Sequence, residues 1–181
     1  MPSLHQPPQP HPSRLTPFAG HPIVVGVVPG QPELVALTAA SWAAALGTEL
    51  FFAYADPSRI TVEEYPDGTV RHAEVDPDAV DDSWRDRETV LRGYLGEVLD
   101  GTEATWHFRY LAGRPDRALT HLARAIDASA FVVGTHTPGA TGRWHDFVDS
   151  SVAARLSHHQ HRPVLVVPLH VVDWHSKLPW Q

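Results

Sequence analysis

"FVVGTHTPGATGRWHDFVDSSVAARLSHHQHRPVLVVP", from Phe131 to Pro168, holds two short apolar runs separated by a loop and one amphipathic segment. The run "FVVG" and the closing "PVLVV" carry no charge and are rich in β-branched residues, the pattern of strands buried on both faces. Between them Val148, Val152 and Leu156 recur at helical spacing. A strand, a crossover helix and a second strand in that order make a parallel pair with a right-handed connection. The loop before the helix carries Pro138, Gly139, Gly142, Arg143 and His145.

The same alternation extends upstream. "PIVVGVV" (22–28) is a continuous apolar run, "PELVALTAASWAAALG" (32–47) places Leu34, Leu37, Ser41 and Ala44 on one helical face, and "ELFFAYA" (49–55) is apolar again. In "RITVEEYPDGTVRHAEVDP" two β-prone pieces flank Asp67 and Gly68, a turn pair that predicts a hairpin excursion near 58–76. Asp76 to Asp100 carries Trp84, Leu91, Tyr94, Leu95 and Val98 at helical spacing and stops at Gly101. "TWHFRYLAG" alternates Trp106, Phe108 and Tyr110 with His107 and Arg109, as an edge strand with one wetter face would. Pro115 opens a further helix with Leu119, Leu122 and Ile126 as its buried stripe.

The expected fold is therefore α/β and three-layered, a five-stranded parallel sheet with helices on both faces. Counting the long strands alone, their order is 3-2-1-4-5. In such sheets a ligand sits beyond the carboxyl ends of the strands where the order reverses, here between "PIVVGVV" and "FVVGT".

Composition narrows the partners. Among 181 residues, 21 acidic and 14 scattered basic side chains give a formal charge of −7, which opposes a nucleic-acid surface. There is no cysteine, hence no disulfide, thiolate metal site or thiol nucleophile. No stretch is apolar enough to span a bilayer, so no membrane partner and a cytoplasmic location are expected. Seven of the 17 prolines fall in the first 22 residues. The expected division is a Pro-rich flexible arm over 1–20, one domain over 21–170 and a tail over 171–181.

With this succession of elements and this ending, the chain resembles the universal stress proteins, whose fold is of the adenine nucleotide alpha hydrolase type. Nucleotide-binding members follow a strand ending in Gly with the pattern G-x2-G-x9-G-[ST], then a Val, a helix and a "PVLVV" strand. Gly134 matches the first Gly, Ser151 the hydroxyl residue and Val152 the Val after it. Ser150 stands where the last Gly belongs, Thr137 where the middle one does, and Gly139 lies two residues on. Fifteen residues separate Gly134 from Ser150, three more than the pattern has. Members that bind nucleotide end the first strand with an Asp facing the ribose; here the position is Val28, followed by Pro29.

The resemblance implies a binding and regulatory module of the stress response rather than a metabolic enzyme. ATP or AMP is the implied ligand, with Gly134, Gly139, Arg143, Ser150, Ser151 and Val152 as its contacts. A helix N-terminus with two hydroxyls and an Arg can hold a small anion. The bland alternative is that Asp149 or Ser150 caps the helix and the loop glycines supply positive dihedrals. Slow ATP hydrolysis and a nucleotide-free interaction protein are the rival functions. The resemblance also implies a homodimer through Val164 to Val167, the exposed last strand, with Val171 to Trp180 adding contacts.

Other constellations point to neither metal nor catalysis. His158 and His161 close a helix, where cationic side chains favour the C-terminus. His145, Asp146 and Ser150 or Ser151 are sequence neighbours without a nucleophile elbow. Glu63 with Glu64 and Asp81 with Asp82 read as solvated charge, and Trp42 and Trp84 as helix packing.

Overall fold

The computed structural model describes residues 10–75, 83–135 and 152–169. The elements are β1 (Ile23–Gly26), α1 (Leu34–Leu46), β2 (Leu50–Asp56), β3 (Arg59–Glu64), β4 (Val70–Glu74), α2 (Ser83–Val98), β5 (Trp106–Ala112), α3 (Pro115–Ala125), β6 (Ala130–Gly134), α4 (Val152–His159) and β7 (Val164–Val167), preceded by a 3₁₀ turn at Pro12–Arg14. The main sheet runs β5-β2-β1-β6-β7 and every pairing in it is parallel. That is the order expected from the apolar runs.

Parallel strands need both faces covered, and two apolar layers do so. On one face Ile23, Val25, Phe52, Tyr54, Phe108 and Val132 pack under α1 and α2. On the other Val24, Phe51, Leu111, Phe131 and Val133 pack under α3 and α4 through Leu119, Leu122 and Leu156. The alternation in β5 follows: Phe108 and Tyr110 face the first layer, while His107 and Arg109 stay at the wetter side.

Helix α1 corrects one expectation. The face bearing Leu34, Leu37, Ser41 and Ala44 points outward; Val35, Ala36, Ala39, Ala40 and Ala43 are buried instead. Small side chains let the helix axis lie close over β1 and β6, and this dense contact outweighs the extra area two leucines would bury. Gly47 closes the helix in the left-handed conformation, its N–H returning to Ala43 and Ala44 carbonyls.

The excursion is an antiparallel hairpin, β3 with β4. Its loop places Pro66 and Asp67 before Gly68 at φ +80°, with Gly68 N–H donating to Tyr65 O and Tyr65 N–H to Thr69 O. This is a type I turn closed by a left-handed glycine. The hairpin lies along the edge strand β5: Arg109 donates to the Asp67 carbonyl at 3.0 Å and Thr61 Oγ1 to the Ala112 carbonyl at 3.4 Å.

At Gly68 a side chain meets two obstacles, the positive φ and an overlap of its Cβ with Leu122 Cδ1 on α3. Gly68→Ala should therefore destabilise the fold by about 1–3 kcal/mol. Urea unfolding followed by circular dichroism checks it, with a midpoint equal to the parent's as the contrary result.

Candidate ligand site

The strand order reverses between β1 and β6, and the crevice that such a reversal leaves at the carboxyl ends falls at Val27, Val28, Gly134 and Thr135. Its floor is locked from the β7 side: Thr135 N–H donates to the Val167 carbonyl and Leu169 N–H to Thr135 Oγ1, both at 2.8 Å. Its first wall is a tight turn. Gln31 N–H donates to the Val28 carbonyl at 3.2 Å and Gly30 has φ +74°, so Val28-Pro29-Gly30-Gln31 forms a type II turn with Pro and Gly in their favoured places. Val28, at the position of the ribose-facing Asp, is about half exposed at 45%.

Among the described residues Gly134 is the one matched site residue at this mouth. A Cβ there would stand 2.9 Å from Gln31 Nε2, 2.9 Å from Leu169 Cδ1 and 3.1 Å from Val35 Cγ2. The missing side chain makes room for the chain's own α1 entrance and for Leu169, two residues beyond β7. Gln31 also accepts from Val28 N–H through Oε1 at 3.4 Å, which lays its side chain across the turn. Val152 is the first residue of α4 and packs partly into the layer beneath α3 and α4. Gly139, Arg143, Ser150 and Ser151 lie outside the described residues, as do 171–181. Gln31 was missed in the sequence because a polar residue before Pro32 reads as loop; the Pro-Gly pair before it is the signal that would have placed it.

A second polar centre lies at the carboxyl ends of β2 and β5. Asp56, only 2% exposed, accepts from Tyr110 Oη at 2.6 Å, from Arg87 of α2 at 2.5 Å, and from the Ser58 N–H and hydroxyl at 2.9 and 2.6 Å. Burial alone would raise this carboxyl, but the hydrogen bonds from Ser58 and Tyr110 and the Arg87 charge outweigh it and hold it below its ordinary value. Burial and the bond to Asp56 push the Tyr110 phenol well above its usual range, so it is a donor here. The arrangement ties the hairpin base, α2 and β5 to one carboxylate. One acid ending the otherwise apolar "LFFAYAD" was the sequence signal for it.

Among the described residues no cluster of three or more His, Asp or Glu side chains has metal-holding geometry, and no helix is long and apolar enough to cross a membrane. Glu63 and Glu64 lie on the exposed hairpin, paired with Arg71 and His121. Trp42 meets Phe18 at 6.1 Å, and Trp84 packs edge-on to His72.

Asp56→Asn removes the counter-charge of Arg87 while keeping the shape, and should cost about 3–5 kcal/mol. In the parent the carboxyl is held low, so this contribution is present at neutral pH and is lost as pH falls through the depressed folded value. Denaturant titrations of both proteins at pH 7 and pH 3 check both halves: the gap should be smaller at pH 3 than at pH 7, by at most about 1 kcal/mol.

Comparison with known proteins places this geometry. No curated protein sequence matches the chain. Solved structures do. A universal stress protein from Archaeoglobus fulgidus in complex with dAMP is 19% identical, with 81% of this chain and 97% of that one covered and a TM-score of 0.57. A universal stress protein in complex with cAMP is 21% identical over 83% and 98%, at 0.55. A member from Burkholderia pseudomallei is 22% identical over 82% and 96%, at 0.57. These likenesses carry the fold, and the sequence profile of the universal stress protein family matches residues 21–168. The chain belongs to the universal stress protein family.

Proposed function

We propose that this protein is a regulatory module of the universal stress type that works as a homodimer and whose switch-point crevice is occupied by its own side chains instead of an adenine nucleotide. One observation carries the reading: Gln31, Leu169 and Val35 crowd the space where Gly134 lacks a side chain. Two features support it. Val28 offers no carboxylate to ribose hydroxyls, and the Pro29-Gly30 turn holds the first loop in a fixed, hydrogen-bonded shape.

The complexes of similar folds with dAMP and cAMP favour a second reading, in which AMP or ATP enters the same crevice. That reading requires the Gln31 side chain to leave Gly134. Calorimetric titration with ATP and with AMP separates the two. The parent should show no binding tighter than about millimolar, a standard free energy of about −4 kcal/mol, and Gln31→Gly should bind more tightly than the parent. Submillimolar binding by the parent, or nucleotide found by mass spectrometry after denaturing the purified protein, overturns the first reading and supports the second.

The dimer rests on β7, which pairs only with β6 among the described residues and leaves Leu165 and Val166 exposed at 37% and 41%. An apolar edge strand of this kind is a template for a second copy. Val166→Asp would set two carboxylates near each other across a twofold pairing and should raise the dissociation constant at least about tenfold, 1.4 kcal/mol. Sedimentation velocity over a concentration series checks it; a monomeric parent ends the idea.

A further inference from the structure

The base of the hairpin is held by a histidine in an unusual position. Arg59 Nε on β3 donates to His72 Nδ1 on β4 at 2.7 Å, so this nitrogen presents its lone pair and the ring is neutral. The ring stands edge-on to Trp84 of α2 at 4.7 Å between centroids and lies 5.4 Å from Tyr110 of β5. Arg59 in turn is 5.5 Å above the Trp84 ring and pairs with Glu74 at 3.1 Å. Hairpin, helix and edge strand therefore meet on one imidazole.

We propose that His72 is an acid-operated latch: neutral, it fastens the base of the β3–β4 hairpin to α2 and β5, and protonation releases that base. A proton on Nδ1 removes the acceptor of the Arg59 bond and sets an N–H against an N–H. It also puts two cations in contact in a half-buried place, where screening is weak. The charged neighbours among the described residues pull in both directions. Arg59 from β3 and Arg85 from α2 oppose the new charge, whereas Asp56 from β2 and Glu88 from α2 favour it. Asp56 is engaged by Arg87, Tyr110 and Ser58, and Glu88 by Arg92. Burial and Arg59 prevail and keep the imidazole below its ordinary value.

The sign follows. With a folded value below that of a free histidine, the unlatched state takes up the proton first, so the closed hairpin base loses stability as pH falls below the free value. At the far end of the hairpin His121 Nδ1 on α3 is 2.8 Å from Glu64 Oε1 on β3, a contact separate from the His72 base.

Hydrogen-exchange mass spectrometry, corrected for the intrinsic pH dependence of exchange, tests this on the full chain from pH 7.5 to 5.5. Protection of peptides within 59–75 should fall, by at most about tenfold at pH 5.5, which lies about one unit below the value of a free histidine, while β1 and β6 peptides hold. In His72→Gln, whose side-chain oxygen can still accept from Arg59 and does not titrate, hairpin protection should be flat with pH. Flat protection in the parent, or an equal fall in both proteins, overturns the latch. If His72→Gln lacks hairpin protection at every pH, the His72 ring resonances of the parent decide: a titration midpoint tracking the loss of protection supports the latch, and one that does not track it overturns it.

Discussion

The fold depends on a four-residue strand with no freedom left. Ile23, Val24 and Val25 of β1 are completely buried, each residue registered to β2 on one side and β6 on the other. Alternate side chains feed opposite layers, Ile23 and Val25 under α1 and α2, Val24 under α3 and α4. Both cores are thereby assembled around one backbone whose amides and carbonyls have to be paired by neighbours in the sheet. Everything at the carboxyl end, from the Pro29-Gly30 turn to the placement of Gly134, inherits its position from this strand.

Much of that was legible because its signals are local. Continuous apolar runs marked the strands, Asp67-Gly68 marked the hairpin, and Trp106, Phe108 and Tyr110 alternating with His107 and Arg109 marked β5 as an edge. The outward face of α1 was not marked, because its thirteen residues "LVALTAASWAAAL" are uncharged and offer no polar stripe to orient them. Choosing alanine over leucine as the buried face is a decision of close packing, visible only when the sheet is in place.

The candidate site divides in the same way. Gly134 could be matched from the strand it ends, yet its role depends on Gln31, Val35 and Leu169, which come from two other parts of the chain. The Asp56 centre joins residues 31 and 54 positions apart through Arg87 and Tyr110. Neither pairing has a spacing that a linear pattern can register. In both, a strand end supplies one group and an element far along the chain supplies the other.

The two borders of the sheet are unlike. Along β5 lies the hairpin, fastened by Arg109 to Asp67 and by Thr61 to the Ala112 carbonyl, whereas among the described residues β7 leaves Leu165 and Val166 exposed. A sheet attachable at both borders can add copies without limit and grow into a fibre. With a single adhesive border, a twofold contact would be self-complementary and used up once two copies met. In the dimer proposed above through β7, the hairpin inserted between β2 and α2 would act as a chain terminator at the opposite border.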